Sequence, residues 1–178
     1  MTALLRLYDD LADRAQALAA PALPSLARLL FAGILLVYYW GSASTKIGAS
    51  ILSPSSGAYI QIFPKAVEAA GYDPSKLSAL HTLVVVAGMW AEFLLPALIV
   101  LGLFTRLAAL GMIGFIAVQS WVDVFGHGLA GPDIGAWFDR NPSALLLDQR
   151  ALWLFLLVVL LLKGAGPVSA DRLLSRIR

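Results

Sequence analysis

Residues 77–125 read LSALHTLVVVAGMWAEFLLPALIVLGLFTRLAALGMIGFIAVQSWVDVF. Two runs within it, Leu77–Leu103 and Leu107–Phe125, approach or exceed the ~20 apolar residues that an α-helix needs to cross a bilayer. Their ionisable interruptions are His81, Glu92 and Asp123. Only Phe104-Thr105-Arg106 joins them, and so short a link predicts antiparallel neighbouring helices. Pro96 predicts a kink in the first of the two.

Outward from this pair, Leu26–Ala43 (LARLLFAGILLVYYWGSA) is an earlier span. Arg28 lies inside one end, where a long side chain can snorkel. Tyr38, Tyr39 and Trp40 form an aromatic belt near the other. A fourth span is shorter. Trp153–Leu162 is apolar, and Ala144–Leu147 must join it to reach membrane length, which draws Asp148, Gln149 and Arg150 into its end. Such residues are tolerated when they face the bundle or reach the headgroups. Gly164-Ala165-Gly166-Pro167 then stops the helix.

The expected fold class is an all-α membrane protein: a four-transmembrane-helix bundle with an N-terminal amphipathic helix. Leu4, Leu7, Leu11 and Leu18 give residues 1–22 that helical pattern, with Arg6, Asp9, Asp10, Asp13 and Arg14 between them. Pro21 and Pro24 are expected to break this helix from the membrane domain, residues 23–178, leaving it along the bilayer surface. Residues 44–76 are polar enough to leave the hydrocarbon and cover the outer mouth. Within them lie a turn cluster at Ser53–Gly57, a short amphipathic stretch at Tyr59–Ala70 interrupted by Pro64, and a turn at Tyr72–Ser75.

Composition agrees. The chain has 178 residues, 60% hydrophobic and 13% charged, where soluble proteins carry about 25% charged residues. Mean hydropathy is +0.81. The lipid bilayer is therefore the principal partner. A net charge of +2 gives no basic stripe for nucleic acid. The absence of cysteine excludes disulfides, Cys-ligated zinc and iron–sulfur clusters within the chain. Asp9, Asp10 and Asp13 do not suit a cleavable signal peptide, so the first span is expected to remain as an anchor. Of the 13 Lys and Arg residues, eight fall with the termini and the link at Arg106, which predicts cytoplasmic termini. The expected location is a bacterial inner membrane.

Glu92 is the most informative residue. A carboxylate mid-span costs on the order of 3 kcal/mol on insertion scales, so it needs a proton, a partner or a ligand. The plain alternative is a polar contact that pins two helices. His81 shares its face, about three turns away, and Gly88 permits close approach one turn away. Tyr38, Ser42 and Lys46 recur at i, i+4, i+8 on the first span, and Gln119, Asp123 and His127 do so on the third. If these stripes converge, they line an outer pocket floored by Glu92. Lys46, Asp123 and His127 can also be read as headgroup-level residues at helix ends. No metal-ligand spacing, haem motif, P-loop, dinucleotide turn or nucleophile elbow is present.

These residues also carry a resemblance. The Arg28 span closing on Ser44-Thr45-Lys46, Ala91-Glu92 with Pro96, Leu101-Gly102-Leu103-Phe104-Thr105-Arg106-Leu107-Ala108-Ala109, and the tail Gly164–Asp171 with its Ser169-x-Asp171 element are similar to the DoxX family of small four-helix membrane proteins. Pro167 stands where a basic residue is more usual. The resemblance runs over about 26–174 and makes Lys46, Glu92 and Arg106 matched polar positions, with Arg28, Ser169 and Asp171 as structural matches. It implies a redox or stress setting, since the family includes a quinone-linked thiosulfate oxidoreductase subunit and partners of redox or metal-stress proteins.

Three readings of function arise. The lack of any catalytic motif favours an accessory or anchor subunit with a membrane or periplasmic protein partner, redox in kind. The second is a membrane oxidoreductase subunit with a quinone as cofactor, where Glu92, His81 and Tyr38 hydrogen-bond quinone oxygens or relay protons. The third is a small-solute or proton-coupled carrier built on Glu92. A homo-oligomer is compatible with each.

Overall fold

The computed structural model describes residues 2–177. Four helices are long and apolar enough to cross a membrane: Ala3–Thr45, Ala79–Leu101, Thr105–Gly126 and Leu145–Lys163. The first comprises α1 (Thr2–Phe31), a π-helical turn (Ala32–Leu36) and α2 (Val37–Thr45). A hairpin of β1 (Ile47–Ser50) and β2 (Ser53–Pro54) comes next, then α3 (Ser56–Ile62) and α4 (Pro64–Ala69). The remaining long helices are α5 (Ala79–Leu101), α6 (Thr105–Trp121) and α7 (Ala151–Lys163), and α8 (Ala170–Ile177) closes the chain. The long helices form a closed ring, with α5 between α2 and α6, and α7 between α6 and α1.

The ring has one apolar interior. Phe31, Leu35, Tyr39, Ile99, Met112, Ile116, Leu157 and Leu160 are all buried there. Outward positions such as Val37, Leu94, Leu107, Leu152 and Leu162 are exposed and apolar, as a lipid-facing surface requires. In lipid the helices gain little from burying grease, so their association rests on close packing and on the polar contacts below.

The amphipathic helix and the first span are not separate elements. The helix runs through Pro21 and Pro24, which corrects the expected break. Each proline withholds one hydrogen bond, from the carbonyls of Ala17 and Ala20. Both alanines are exposed, so those carbonyls can find other donors. A helix of 43 residues is ~65 Å long, about twice the hydrocarbon thickness. Its first twenty residues therefore continue the line of the span.

Three turns are π-helical: Ala32–Leu36, Val122–Gly126 and Leu145–Arg150. Their wide bonds include His127 N–H to Val122 O at 3.0 Å and Gln149 N–H to Ala144 O at 3.1 Å. Each inserts one residue and rotates the rest of its helix by about 100°, a device concentrated at functional sites. Asp123 and Arg150 both lie inside such turns.

The segment 46–78 caps one end. Ser55 N-caps α3 by accepting from Ala58 N–H, and Pro64 opens α4, so Phe63 rather than a continuous helix sits between them. Ala58, Tyr59, Val67 and Val85 bury this cap against α5. Tyr59 and Thr82 join hydroxyls at 3.0 Å. Asp73 caps the short turn Pro74–Lys76, while α5 itself begins after Ser78.

The other end is a clasp. Gly102 ends α5 at φ 68°. Its N–H reaches Ile99 O and the Leu103 N–H reaches Leu98 O, the paired bonds of a Schellman stop. A Cβ there would lie 2.6 Å from the Ser169 Cβ and 2.8 Å from the Arg28 Cζ. Arg28 donates to the carbonyls of Ile99, Val100, Ala165 and Val168. It thus satisfies end carbonyls of α5 and the link to α8 together. The Asp171 carboxylate accepts from Phe104 N–H at 2.7 Å and Thr105 N–H at 3.0 Å. An anion on a helix N-terminus is favoured by its open N–H groups and its dipole. Burial pushes Asp171 upward, but these donors and the Arg28 charge outweigh it and hold the carboxyl below its ordinary value. Arg106 donates to Leu162 O at 3.3 Å, and Ser169 turns back to Gly166 O.

Candidate functional site

Glu92 sits midway along α5. Pro96, one turn on, cannot supply the N–H that Glu92's own carbonyl would otherwise take. Lys46 is the last residue before β1, fixed by its N–H to Ala43 O and by Ser55 N–H to its own carbonyl. That fixed position sends its side chain back along α2. The Lys46 Nζ meets the two Glu92 oxygens at 2.8 and 3.0 Å, with side-chain exposures of 3% and 5%. The same Nζ donates to Ser42 Oγ at 2.8 Å, and Ser42 Oγ donates to Glu92 Oε1 at 3.3 Å. Both charges are thus compensated where water cannot do so, the condition for burying an ion pair.

A second pair lies nearby. The Arg150 Nη2 donates to Asp123 Oδ2 at 2.5 Å, and its Nη1 to Ser120 Oγ at 2.7 Å. Arg150 is buried, and its Nε has no partner among the described residues. Gln119 lines one cleft with Lys46, Glu92 and Asp123. Its amide donates to the Tyr38 hydroxyl at 3.2 Å and accepts a long bond from Tyr39 at 3.4 Å. Tyr38 and Tyr39 stack edge-on at 4.9 Å.

Lys46, Glu92, Gln119 and Asp123 share a cleft of about 390 Å³ between α5 and α6, closed above by Gln61 and Ile62 of α3. Its walls are apolar or small: Val84, Ala87, Gly88, Ala91, Leu95, Gly111, Gly114, Phe115 and Val118. Val84, Ala87, Gly111, Gly114 and Val118 are exposed on the lipid-facing side. The cleft is therefore greasy, with lateral access and a few polar groups at its floor. Such composition suits a lipophilic molecule carrying a small polar head.

The structure brings together part of the set expected from the sequence. Lys46, Glu92, Gln119 and Asp123 line the cleft, and Ser42 touches Glu92 from behind. Tyr38 lies outside the lining and meets it through its bond with Gln119. His81 lies at the start of α5, bonded to Ser78 Oγ at 2.8 Å and edge-on to Phe63. It shares Glu92's face, but three turns of helix are ~16 Å of axial distance. His127 binds the Gln61 carbonyl at 2.9 Å, exposed at the rim. Arg28, Arg106, Ser169 and Asp171 belong to the clasp at the opposite end. Among the described residues no three His, Asp or Glu side chains gather as a metal would need.

Sequence reasoning left Arg150 out of the site. Its signal was present, because an arginine drawn into a span must find a partner or a headgroup. The partner was hidden, because no spacing rule connects residue 150 with residue 123. The Lys46–Glu92 contact was hidden in the same way.

The DoxX family profile matches residues 23–126, more than half of the 178-residue chain. The chain belongs to the DoxX family. The matched segment carries Arg28, Lys46, Glu92, Arg106, Gln119 and Asp123, and it stops before Arg150 and the tail with Ser169 and Asp171. Among curated proteins and solved structures, nothing matches the chain.

Proposed function

We propose that this DoxX-family protein is the membrane subunit of a redox system and holds a lipid-soluble quinone in the cleft between α5 and α6. The observation that carries this reading is the cleft's composition. Its walls accept an apolar ring and tail, and its floor offers both kinds of hydrogen-bonding partner that the two redox forms need. Gln119, with one amide N–H beyond its bond to Tyr38, is a donor for a carbonyl oxygen of an oxidised ring. Glu92 and Asp123 are acceptors for the hydroxyls of a reduced one. When bound, a quinone would accept and release electron pairs with protons. The chain's own residues would orient the head through Gln119, and Glu92 and Asp123 would accept its protons.

The electron donor in this reading is a separate protein, since the chain has no cysteine to hold a cluster or a dithiol. The accessory role expected from the sequence thus becomes the other half of the same assignment. The extended N-terminal helix, with Leu4, Leu7, Leu11 and Leu18 exposed, supports a partner on the side of the termini. The eight positive residues on that side support a cytoplasmic location for it.

The test uses the purified protein in nanodiscs, titrated with a short-chain ubiquinone analogue and a short-chain menaquinone analogue. Saturable binding by the native chain, weakened about tenfold in Glu92→Gln or Gly114→Leu, is expected. No saturable binding of either analogue overturns the assignment.

A further inference from the structure

A second hollow lies at the opposite end of the bundle, independent of the cleft. It measures about 520 Å³ and is lined by Arg28, Arg172 and Arg176, with Leu101, Val168 and Leu173 among its apolar walls. Arg172 and Arg176 are four residues apart on α8 and so project from one face. Neither guanidinium donates a hydrogen bond within residues 2–177, whereas Arg28 is engaged with four carbonyls. The acidic residue at hand is Asp171, whose carboxylate is taken up by the start of α6. Among the described residues, the hollow therefore keeps two positive charges with no acidic partner.

Its position is as informative as its charge. α7 ends at Lys163 and α8 begins at Ala170, so α8 lies within a short link of the span's end. Leu173, Leu174 and Ile177 are exposed beside the arginines, giving α8 an apolar side and a basic side. That division suits a helix lying in the membrane interface. Leu101, the exposed last residue of α5, continues the hollow toward the hydrocarbon. A molecule seated here would have its head among arginines and its chains along α5.

We infer that the hollow formed by α8 and the end of α5 is a binding site for an acidic phospholipid headgroup, with Arg172 and Arg176 as its phosphate ligands. Guanidinium groups suit phosphate because their donors form a planar fork. The acyl chains supply the element a free phosphate lacks, a path along Leu101 and Leu173. Occupancy would draw α8 onto the membrane and press the clasp closed through Ser169 and Asp171.

The experiment adds lipid to the detergent-purified full chain and counts retained lipids by native mass spectrometry. Its arms are phosphatidylglycerol, phosphatidylcholine and inorganic phosphate. Retention of phosphatidylglycerol over phosphatidylcholine is expected, and it should fall about twenty-five-fold in Arg172→Gln/Arg176→Gln, since each surface arginine contributes roughly fivefold. Both side chains are exposed, so the double variant should fold, and an unchanged melting temperature without lipid checks this. Arg6→Gln/Arg14→Gln removes the same charge elsewhere and should leave the preference intact. Equal retention of the two lipids overturns the inference, as does an equal effect of the two double variants. Displacement of the lipid by millimolar inorganic phosphate would also overturn it, because a free anion would then be the occupant.

Discussion

The Lys46 ammonium and the Glu92 carboxylate, 46 positions apart in sequence, form a contact of 2.8 Å at the floor of a lipid-facing cleft. The pair joins the loop end of the first membrane helix to the middle of the second. Removing one partner of a buried pair leaves an uncompensated charge, which costs about 3–5 kcal/mol, whereas removing both is far milder. Lys46→Met is therefore expected to lower the unfolding free energy by about that amount in detergent. Lys46→Met/Glu92→Met should recover more than half of the loss. Additive effects in the double variant would show that the two charges are not coupled.

Gly114 lines the cleft, and a Cβ there meets nothing within 4 Å. Gly114→Leu should leave stability equal or slightly higher, because leucine is the better helix former by roughly 0.5–1 kcal/mol. The same change fills the cleft and should weaken quinone-analogue binding about tenfold, or roughly 1.4 kcal/mol. Unchanged binding in a normally folded variant would move the ligand elsewhere.

Asp171 carries a pH dependence of definite sign. Its carboxyl is held below the ordinary 3.8 in the fold, so its stabilisation is complete above that value and fades as pH falls through the folded one. The melting temperature should drop on acidification below about pH 4, and Asp171→Asn should remove that part of the slope. At neutral pH the substitution should cost about 1 kcal/mol, less at high salt, as expected for a charge at a helix end. A native acid slope in the variant would assign the effect to other carboxylates.

Gly102 meets two constraints at once, a φ of 68° and a tight space beneath Ser169 and Arg28. Gly102→Ala should destabilise by more than about 1 kcal/mol, the usual cost of a Cβ in a left-handed position. The change adds a clash with the Ser169 side chain, so Gly102→Ala/Ser169→Gly should recover part of the loss. Thermal unfolding of the three variants measures both contributions.

The four spans were legible because apolar length is a local property, counted along the chain without knowing any contact. Glu92 was legible for a related reason, since the energetic cost of a carboxylate depends on depth alone. Its partner was not. Lys46 reads as a helix-end residue until the hairpin after it turns the side chain inward. Pro21 and Pro24 misled for the converse reason: a proline removes one donor, and a helix whose freed carbonyls are exposed absorbs that loss without breaking. The π-helical turns at Asp123 and Arg150 change the phase of their helices by one residue. Face assignments based on 3.6 residues per turn fail just beyond them, which is where His127 left the site.

The clasp has a consequence for how this protein is made. The turn at Gly102–Thr105 is completed by a carboxylate that leaves the ribosome 66 residues after Thr105. The second and third spans must therefore enter the membrane with their connection unfinished, and a segment translated after the fourth span supplies the missing piece. A chain cut short before Asp171 would have all four spans yet lack the lock, so closure of this end marks a chain whose synthesis has passed residue 171.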